Sequence, residues 1–409
     1  MTKNALRAAG FVDLTPDGVD YHSDEYLLIE DGRIVGFDKL ANLPDDVEII
    51  DQSADFCVPG LIDTAFLPGL LVQPDGARPN SYGESVWQAK QAAEQWLASG
   101  VTSAASMGAA DRIDFDLSKS IAAGRMSGSR IHPALSPLVP AGMAKFHWLY
   151  GVREVSGADD ARRAVRELIK DGADRIVIYA DVPLEFHADP AETSRHRLPF
   201  SVAELSEMVA QARQAGCFVH AQAISTRAID NCLAAGVRSI GCAFGLQAAH
   251  LPIMAAKGIA LAPNLALGAT IRDMGAAAGF PASAINMVSN QRIAPDLLLH
   301  AHAAGVDIIC GTNAAFLAGD VYRECQELHR AGLSAGDVLR AATQNGARAL
   351  KPHVEYGFFR SRTVADLVFV KHDPAQNLDS LSEISAVMIE GTLRTDTQIA
   401  SHVSASRPI

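Results

Sequence analysis

His220 sits in the apolar stretch CFVHAQA. Imidazole is the side chain whose unperturbed charge change falls nearest neutral pH, so this residue is equipped to carry a proton in acid–base chemistry. Cys242, in VRSIGCAFG, offers a thiol, and Asn313, in VDIICGTNA, offers an amide. A thiol activated by an imidazole, with an amide to orient the ring, is the set of residue types used for cysteine nucleophilic catalysis. The other reading makes Cys242 a small buried hydrophobe and His220 a hydrogen-bonding residue for a ligand. No local cysteine-enzyme signature decides between the two.

The other cysteines are Cys57, Cys217, Cys232, Cys310 and Cys325, and no two of the six form a CxxC pair. Scattered thiols in apolar stretches suit reduced, mostly buried side chains, not a disulfide framework or a zinc knuckle. The segment VPAGMAKFHWLYG gathers His147, Trp148 and Tyr150. On a loop beside a site these rings form a wall for an organic ligand; otherwise they are loop packing. His300 and His302, in LLLHAHAAG, are two residues apart, a spacing at which helical side chains do not face each other, so they are no metal motif.

These side chains need elements to hold them. YLLIEDGRIVGF reads as a strand, an Asp31-Gly32 hairpin turn and a second strand, and ADLVFVKHDP and ISAVMIEGTL repeat that style near the other end. Between the β-rich ends, apolar runs such as GVTSAASMG, DRIVIYAD, CFVHAQA and GIALAPNLAL alternate with helical stretches such as ADDARRAVRELIKDGA and AIDNCLAAGV. Continuous hydrophobic strands alternating with helices indicate a parallel sheet covered on both faces or closed on itself, and about eight such units favour a (β/α)8 barrel.

Composition narrows the function classes. The chain of 409 residues is 48% hydrophobic and 20% charged, an ordinary globular balance, and its formal charge is −12 without a basic stripe. Nucleic acid and anionic membrane surfaces would be repelled, so neither is an expected partner. No signal-like N-terminus and no membrane-length apolar run is read, which gives a cytoplasmic expectation.

At this point the sequence resembles the amidohydrolase superfamily, in particular its imidazolonepropionase-like and Xaa-Pro dipeptidase-like members. The resemblance rests on IEDGRIVGF, VPGLID, GVTSAASMG, SPLVPAGM, ARRAVRELIKDGADRIVI, VHAQA, AIDNCLAAGVRSI, GTNA, AATQNGARAL and ADLVFV in that order. It implies an α/β fold: a distorted (β/α)8 TIM barrel over 56–357, with a small discontinuous β-sandwich formed by 1–55 and 358–409. It also implies a metal centre at the C-terminal ends of the strands, and there this sequence departs from the pattern. The histidine positions of PGLIDxHxH hold Ala65 and Leu67, the strand 4 lysine position holds Val177, the strand 6 histidine is Cys242 and the strand 8 aspartate is Asn313; only His220 is kept. A hydrolytic zinc site needs about three protein ligands and an open position, so the expectation is no metal and no other cofactor.

The resemblance places His220, Cys242 and Asn313 at one barrel mouth, joined by Asp63 of PGLID and by Tyr179, two residues beyond Val177. Asp63 either supports His220 or secures the barrel rim, Tyr179 either lines the pocket or packs, and Asn264 of APNLAL either bonds a ligand or shapes the rim. Three functions follow from this reading. The first is a metal-independent enzyme acting on a small carbonyl-containing substrate (amide, lactam, ester or related) with His220 as acid–base. The second is a pseudoenzyme that binds a ligand without chemistry, and the third a metal-dependent amidohydrolase with relocated ligands. The expected partner is a small molecule, and the resemblance adds a homo-oligomer.

Overall fold

The computed structural model describes residues 3–16, 18–68, 81–144, 151–181, 198–274, 276, 282, 285, 292–313, 321–351 and 355–395. The N-terminal end forms β1 (Lys3–Thr15), β2 (Gly18–His22), β3 (Tyr26–Glu30), β4 (Arg33–Asp38) and β5 (Glu48–Pro59). The Asp31-Gly32 turn joins β3 to β4 with both residues at positive φ (47° and 76°), the conformation a tight two-residue hairpin requires.

The middle of the chain supplies β6 (Leu61–Phe66), β7 (Val101–Ser106), β8 (Arg130–His132), β9 (Leu138–Pro140), β10 (Arg153–Val155), β11 (Ile176–Tyr179), β12 (Val219–Ala223), β13 (Ser239–Cys242) and β14 (Ala260–Ala262). Every strand pairing among these nine is parallel. The segment 307–313 closes one side. Leu261 pairs with Ile308, while the N–H groups of Thr64 and Asn313 donate to Cys310 and Ala65 across the same seam. The result is the distorted (β/α)8 barrel.

Helices cover the outside because their apolar stripes match the outward face of these strands. Ala158–Lys170 buries Ala161, Ala164, Val165 and Leu168, and Thr226–Ala235 buries Ala228, Ile229, Cys232 and Leu233 before ending at Gly236 in the left-handed conformation. The outward residues of β11 and β12 (Ile176, Ile178, Val219, Ala221) join the same large core, so the inward ones (Val177, Tyr179, His220, Gln222) are left for the interior.

At the far end of the chain β15 (Leu367–Val370), β16 (Ile384–Ile389) and β17 (Thr392–Thr395) return to the beginning. They join the N-terminal strands in one eight-stranded sheet, β17-β16-β15-β5-β1-β3-β4 with β2 beside β1, over a separate core that includes Leu6, Phe11, Leu27, Phe359 and Phe369. β5 runs straight into β6 with only Gly60 between them, so the sheet and the barrel share a continuous strand path. Among the described residues no helix is long and apolar enough to cross a membrane.

Candidate active site at the barrel mouth

Strand register sets two inward layers. Val177, His220, Ser239 and Ala260 lie side by side in one; Tyr179, Gln222, Gly241 and Ala262 lie in the next, toward the C-terminal ends. Large polar side chains on β12 therefore face small residues on β13 and β14. A Cβ added at Gly241 would lie 2.2 Å from Gln222 Oε1 and 2.9 Å from His220 Nε2, so both polar ends converge over this glycine.

His220 is only 2% exposed, and its Nδ1 is 2.8 Å from Ser239 Oγ. Its Nε2 has no hydrogen-bond partner among the described residues, and the same holds for both amide atoms of Gln222 and for Asn313 Oδ1. Burial, and then the Arg175 charge, hold the imidazole well below its ordinary pKa, so the ring is neutral at pH 7. The expected proton carrier is thus a neutral ring at pH 7, with one N–H and one lone pair.

Arg175 immediately precedes β11, two residues before the inward-facing Val177. It is buried, donates from Nη1 to the Thr64 carbonyl (2.8 Å), and is pulled down by burial to a pKa of about 10, so it stays charged at neutral pH. A cation held in a low-dielectric interior acts strongly on its neighbours.

The expected thiol–imidazole–amide relay has a different order of contacts. Asn313 Nδ2 donates to Cys242 Sγ (3.7 Å) and does not orient His220; Ser239 does that. Burial pushes the Cys242 thiol up to about 12, against the opposing pull of the Asn313 hydrogen bond. Cys242 is therefore a protonated, 5% exposed side chain at neutral pH.

Asp63 and Asn264 are spent on the scaffold. The Asp63 carboxylate accepts from Trp96 Nε1 (2.8 Å), Thr312 Oγ1 (2.6 Å), and the N–H groups of Thr312 (3.0 Å) and Ala65 (2.9 Å). Asn264 accepts from the Cys242 N–H (2.9 Å) and donates to the Gly311 carbonyl (2.6 Å), clipping the ends of β13 and the 307–313 segment together. Both residues shape the rim; neither extends a spare carboxylate or carbonyl toward a ligand.

Tyr179 is buried in the inner layer beside Val177, and its hydroxyl is pushed far above its ordinary pKa by burial and then by Cys242. His147, Trp148 and Tyr150 lie outside the described residues. Cys242, Asn264 and Asn313, at three neighbouring strand ends, all have positive φ (61°, 52° and 45°). Asparagine tolerates this region, whereas cysteine there is a local strain of the kind found at functional sites.

Ala65, Leu67 and Val177 pack with Met107, Ala134, Val139, Met143, Tyr179 and Ile271 in one apolar cluster. No group of three or more His, Cys, Asp or Glu side chains close enough to hold a metal ion occurs among the described residues. Glu324 was not foreseen from the sequence: fully buried, it accepts the N–H groups of Leu265 (3.1 Å) and Ala266 (2.6 Å) at the start of the helix Leu265–Met274, and burial raises its pKa to about 8.

Comparison with known proteins gives a family match and fold neighbours. The amidohydrolase family matches residues 57–394. A Xaa-Pro dipeptidase with bound methionine in the active site is 23% identical, superposes with a TM-score of 0.84, and the match covers 96% of this chain and 100% of that one. A prolidase complexed with N-methylphosphonate-L-proline is 24% identical with a TM-score of 0.82 over 96% and 100% of the two chains. The ochratoxinase of A. niger is 19% identical with a TM-score of 0.81 over 96% of each. At these identities the likeness establishes the fold. No curated protein matches the sequence.

Proposed function

We propose, for a chain that belongs to the amidohydrolase family, that its barrel mouth takes a small carbonyl compound and processes it with His220 as the proton carrier and without the family's metal centre. The observation that carries this reading is the convergence of His220 Nε2 and the Gln222 amide over Gly241, with Asn313 Oδ1 also buried and without a partner among the described residues. A buried polar atom left unpaired costs about 1–3 kcal/mol, so several together in one mouth fit a ligand that brings the partners.

A carbonyl bonded to nitrogen brings them. Gln222 Nε2 donates to the carbonyl oxygen, Asn313 Oδ1 accepts from the N–H, and the His220 Nε2 lone pair, left over when Nδ1–H donates to Ser239, faces the nucleophile. Ureas contain this group, and one fold neighbour is named as a phenylurea hydrolase.

The residues present do not fit a hydrolytic metal centre. Ala65, Leu67 and Val177 carry no donor and pack together, and the Asn313 amide nitrogen is engaged with Cys242. His220 and Cys242 are two candidate ligands where about three are needed.

In the hydrolytic form of the reaction, a water oxygen bonds to the carbonyl carbon while its proton passes to His220 Nε2. The carbonyl π pair moves onto oxygen, where Gln222 Nε2–H and the field of Arg175 stabilise it. Collapse re-forms the carbonyl, breaks the C–N bond, and returns the proton from His220 to the leaving nitrogen.

The test is incubation of the intact protein, with and without a strong chelator, with a panel of small amides, lactams, ureas and esters, read by mass spectrometry. Turnover that persists in chelator and disappears in a folded His220→Ala variant is the expected result. Turnover that requires added zinc overturns the metal-free reading, and ligand binding without turnover replaces the enzyme with a binding protein.

A further inference from the structure

The helix Leu265–Met274 has two working faces. Leu267 and Ile271 pack toward the mouth with Ala65, Leu67 and Val177, while Gly268, Ala269 and Arg272 line a separate cavity on its other side. That cavity, of about 140 Å³, lies between this helix, the helix Val321–Arg330 and residues 292–295. It is close to the ~150 Å³ that accommodates a benzene ring in an engineered protein cavity.

Its chemistry is divided. Phe244, Leu265 and Ile293 supply an apolar floor, and Arg272, Arg292 and Arg330 bring three guanidinium groups against the single carboxylate of Glu327. Arg330 pairs with Glu327 (2.5 Å), and Arg272 shares Asp273 (3.5 Å) with Arg323. Arg292 has no ion-pair partner among the described residues, and the sequence 274–291 that leads up to it contains no acidic residue. An excess of cationic groups around one cavity in a chain of formal charge −12 is not a general surface property.

We propose that this cavity is a binding site, separate from the mouth, for a small organic carboxylate with a flat apolar body. The ring enters against Phe244, Leu265 and Ile293, and the carboxylate meets Arg292 and Arg272, since a guanidinium matches a carboxylate in bidentate geometry. Asn264 lines the cavity while also holding Cys242 and Gly311. An occupant therefore rests against the same clip that shapes the mouth.

Benzoate is a suitable probe, titrated into the full-length protein by calorimetry, with inorganic phosphate and cyclohexanol as comparison probes. The expected result is saturable binding of benzoate, at least tenfold tighter than phosphate and tenfold tighter than cyclohexanol, and weakened as salt is raised. Arg292→Ala combined with Arg272→Ala should weaken benzoate at least tenfold, Arg292→Lys should retain part of the affinity, and Asn313→Ala in the mouth should leave it unchanged. Absence of benzoate binding overturns the proposal, as does affinity indifferent to the arginine variants. Equal affinity for phosphate removes the apolar half of the site. Loss of binding in Asn313→Ala relocates benzoate to the mouth, so failure here and failure of the mouth reading remain distinguishable.

Discussion

His220 Nδ1 and Ser239 Oγ lie 2.8 Å apart across directly paired residues of β12 and β13. This hydrogen bond holds the ring so that Nε2, which has no partner among the described residues, faces the interior. Ser239→Ala should free the ring from one tautomer and leave a buried nitrogen unsatisfied, a loss on the order of 1–3 kcal/mol. Nitrogen-15 NMR of labelled histidine, with urea denaturation alongside, checks both parts. A His220 signal identical in the two proteins would mean that Ser239 does not orient the ring.

Stability should fall on the acid side in a way traceable to His220. The unfolded chain takes up a proton on this ring near pH ~6.5, while burial and Arg175 keep the folded ring neutral well below that. The contribution is therefore present above about pH 6.5 and is lost as pH drops from there. His132, also buried with a lowered pKa, adds its own slope, so the measurement is a comparison. Thermal melts at pH 7.5 and pH 5 should differ less for His220→Asn than for the parent chain. Equal differences would contradict a buried neutral ring.

Cys242 should be slow to react. With its thiol pushed up to about 12, iodoacetamide at pH 7.5 should label partly exposed Cys217 while leaving Cys242 intact, as read by peptide mass spectrometry. Cys242→Ala should cost on the order of 1 kcal/mol from the small cavity left and the lost Asn313 contact. Preferential alkylation of Cys242 in the folded protein would bring the nucleophile back.

Asp63→Asn is isosteric, yet it should be among the more harmful single changes in the barrel. Four donors point at this carboxylate, and an amide would turn its own N–H groups toward one pair of them. A loss of about 3 kcal/mol is expected in urea denaturation, with Thr312 as the partner most exposed to the change. A shift under 1 kcal/mol would show that the rim tolerates the lost charge, contrary to the role assigned here.

The barrel was legible because its signals are local: apolar runs of strand length, helices with one apolar stripe, and glycines at helix ends. The site was legible only in part, because its logic runs across strands. His220 and Asn313 stand out by residue type and by resemblance. Gln222 carries the same alternation signal as His220, two residues along β12, but an amide that does not titrate gives no chemical cue in a sequence. Ser239 becomes meaningful only through register, since nothing in the sequence says that residue 239 lies opposite residue 220. Arg175 precedes Val177 by two residues in DRIVIY and follows from period two, whereas Glu324 reaches back some sixty positions to cap a helix. Asp63 and Asn264 each have the chemistry of a ligand-binding side chain, and which nearby groups engage them is visible only in the fold.

The Asn264 clip also gives the mouth an uneven compliance. The ends of β13 and of the 307–313 segment are riveted through one amide, and Asn313 is pinned to Ala65 by its own N–H, so this arc of the rim has little room to breathe. On the opposite arc β8 and β9 make no strand pairing with each other, and the link between them is held by Asp114, which accepts the N–H groups of Ala134 and Leu135. Substitutions at Asn264 should therefore be felt first as lost rigidity of the mouth, because one amide joins two strand ends there.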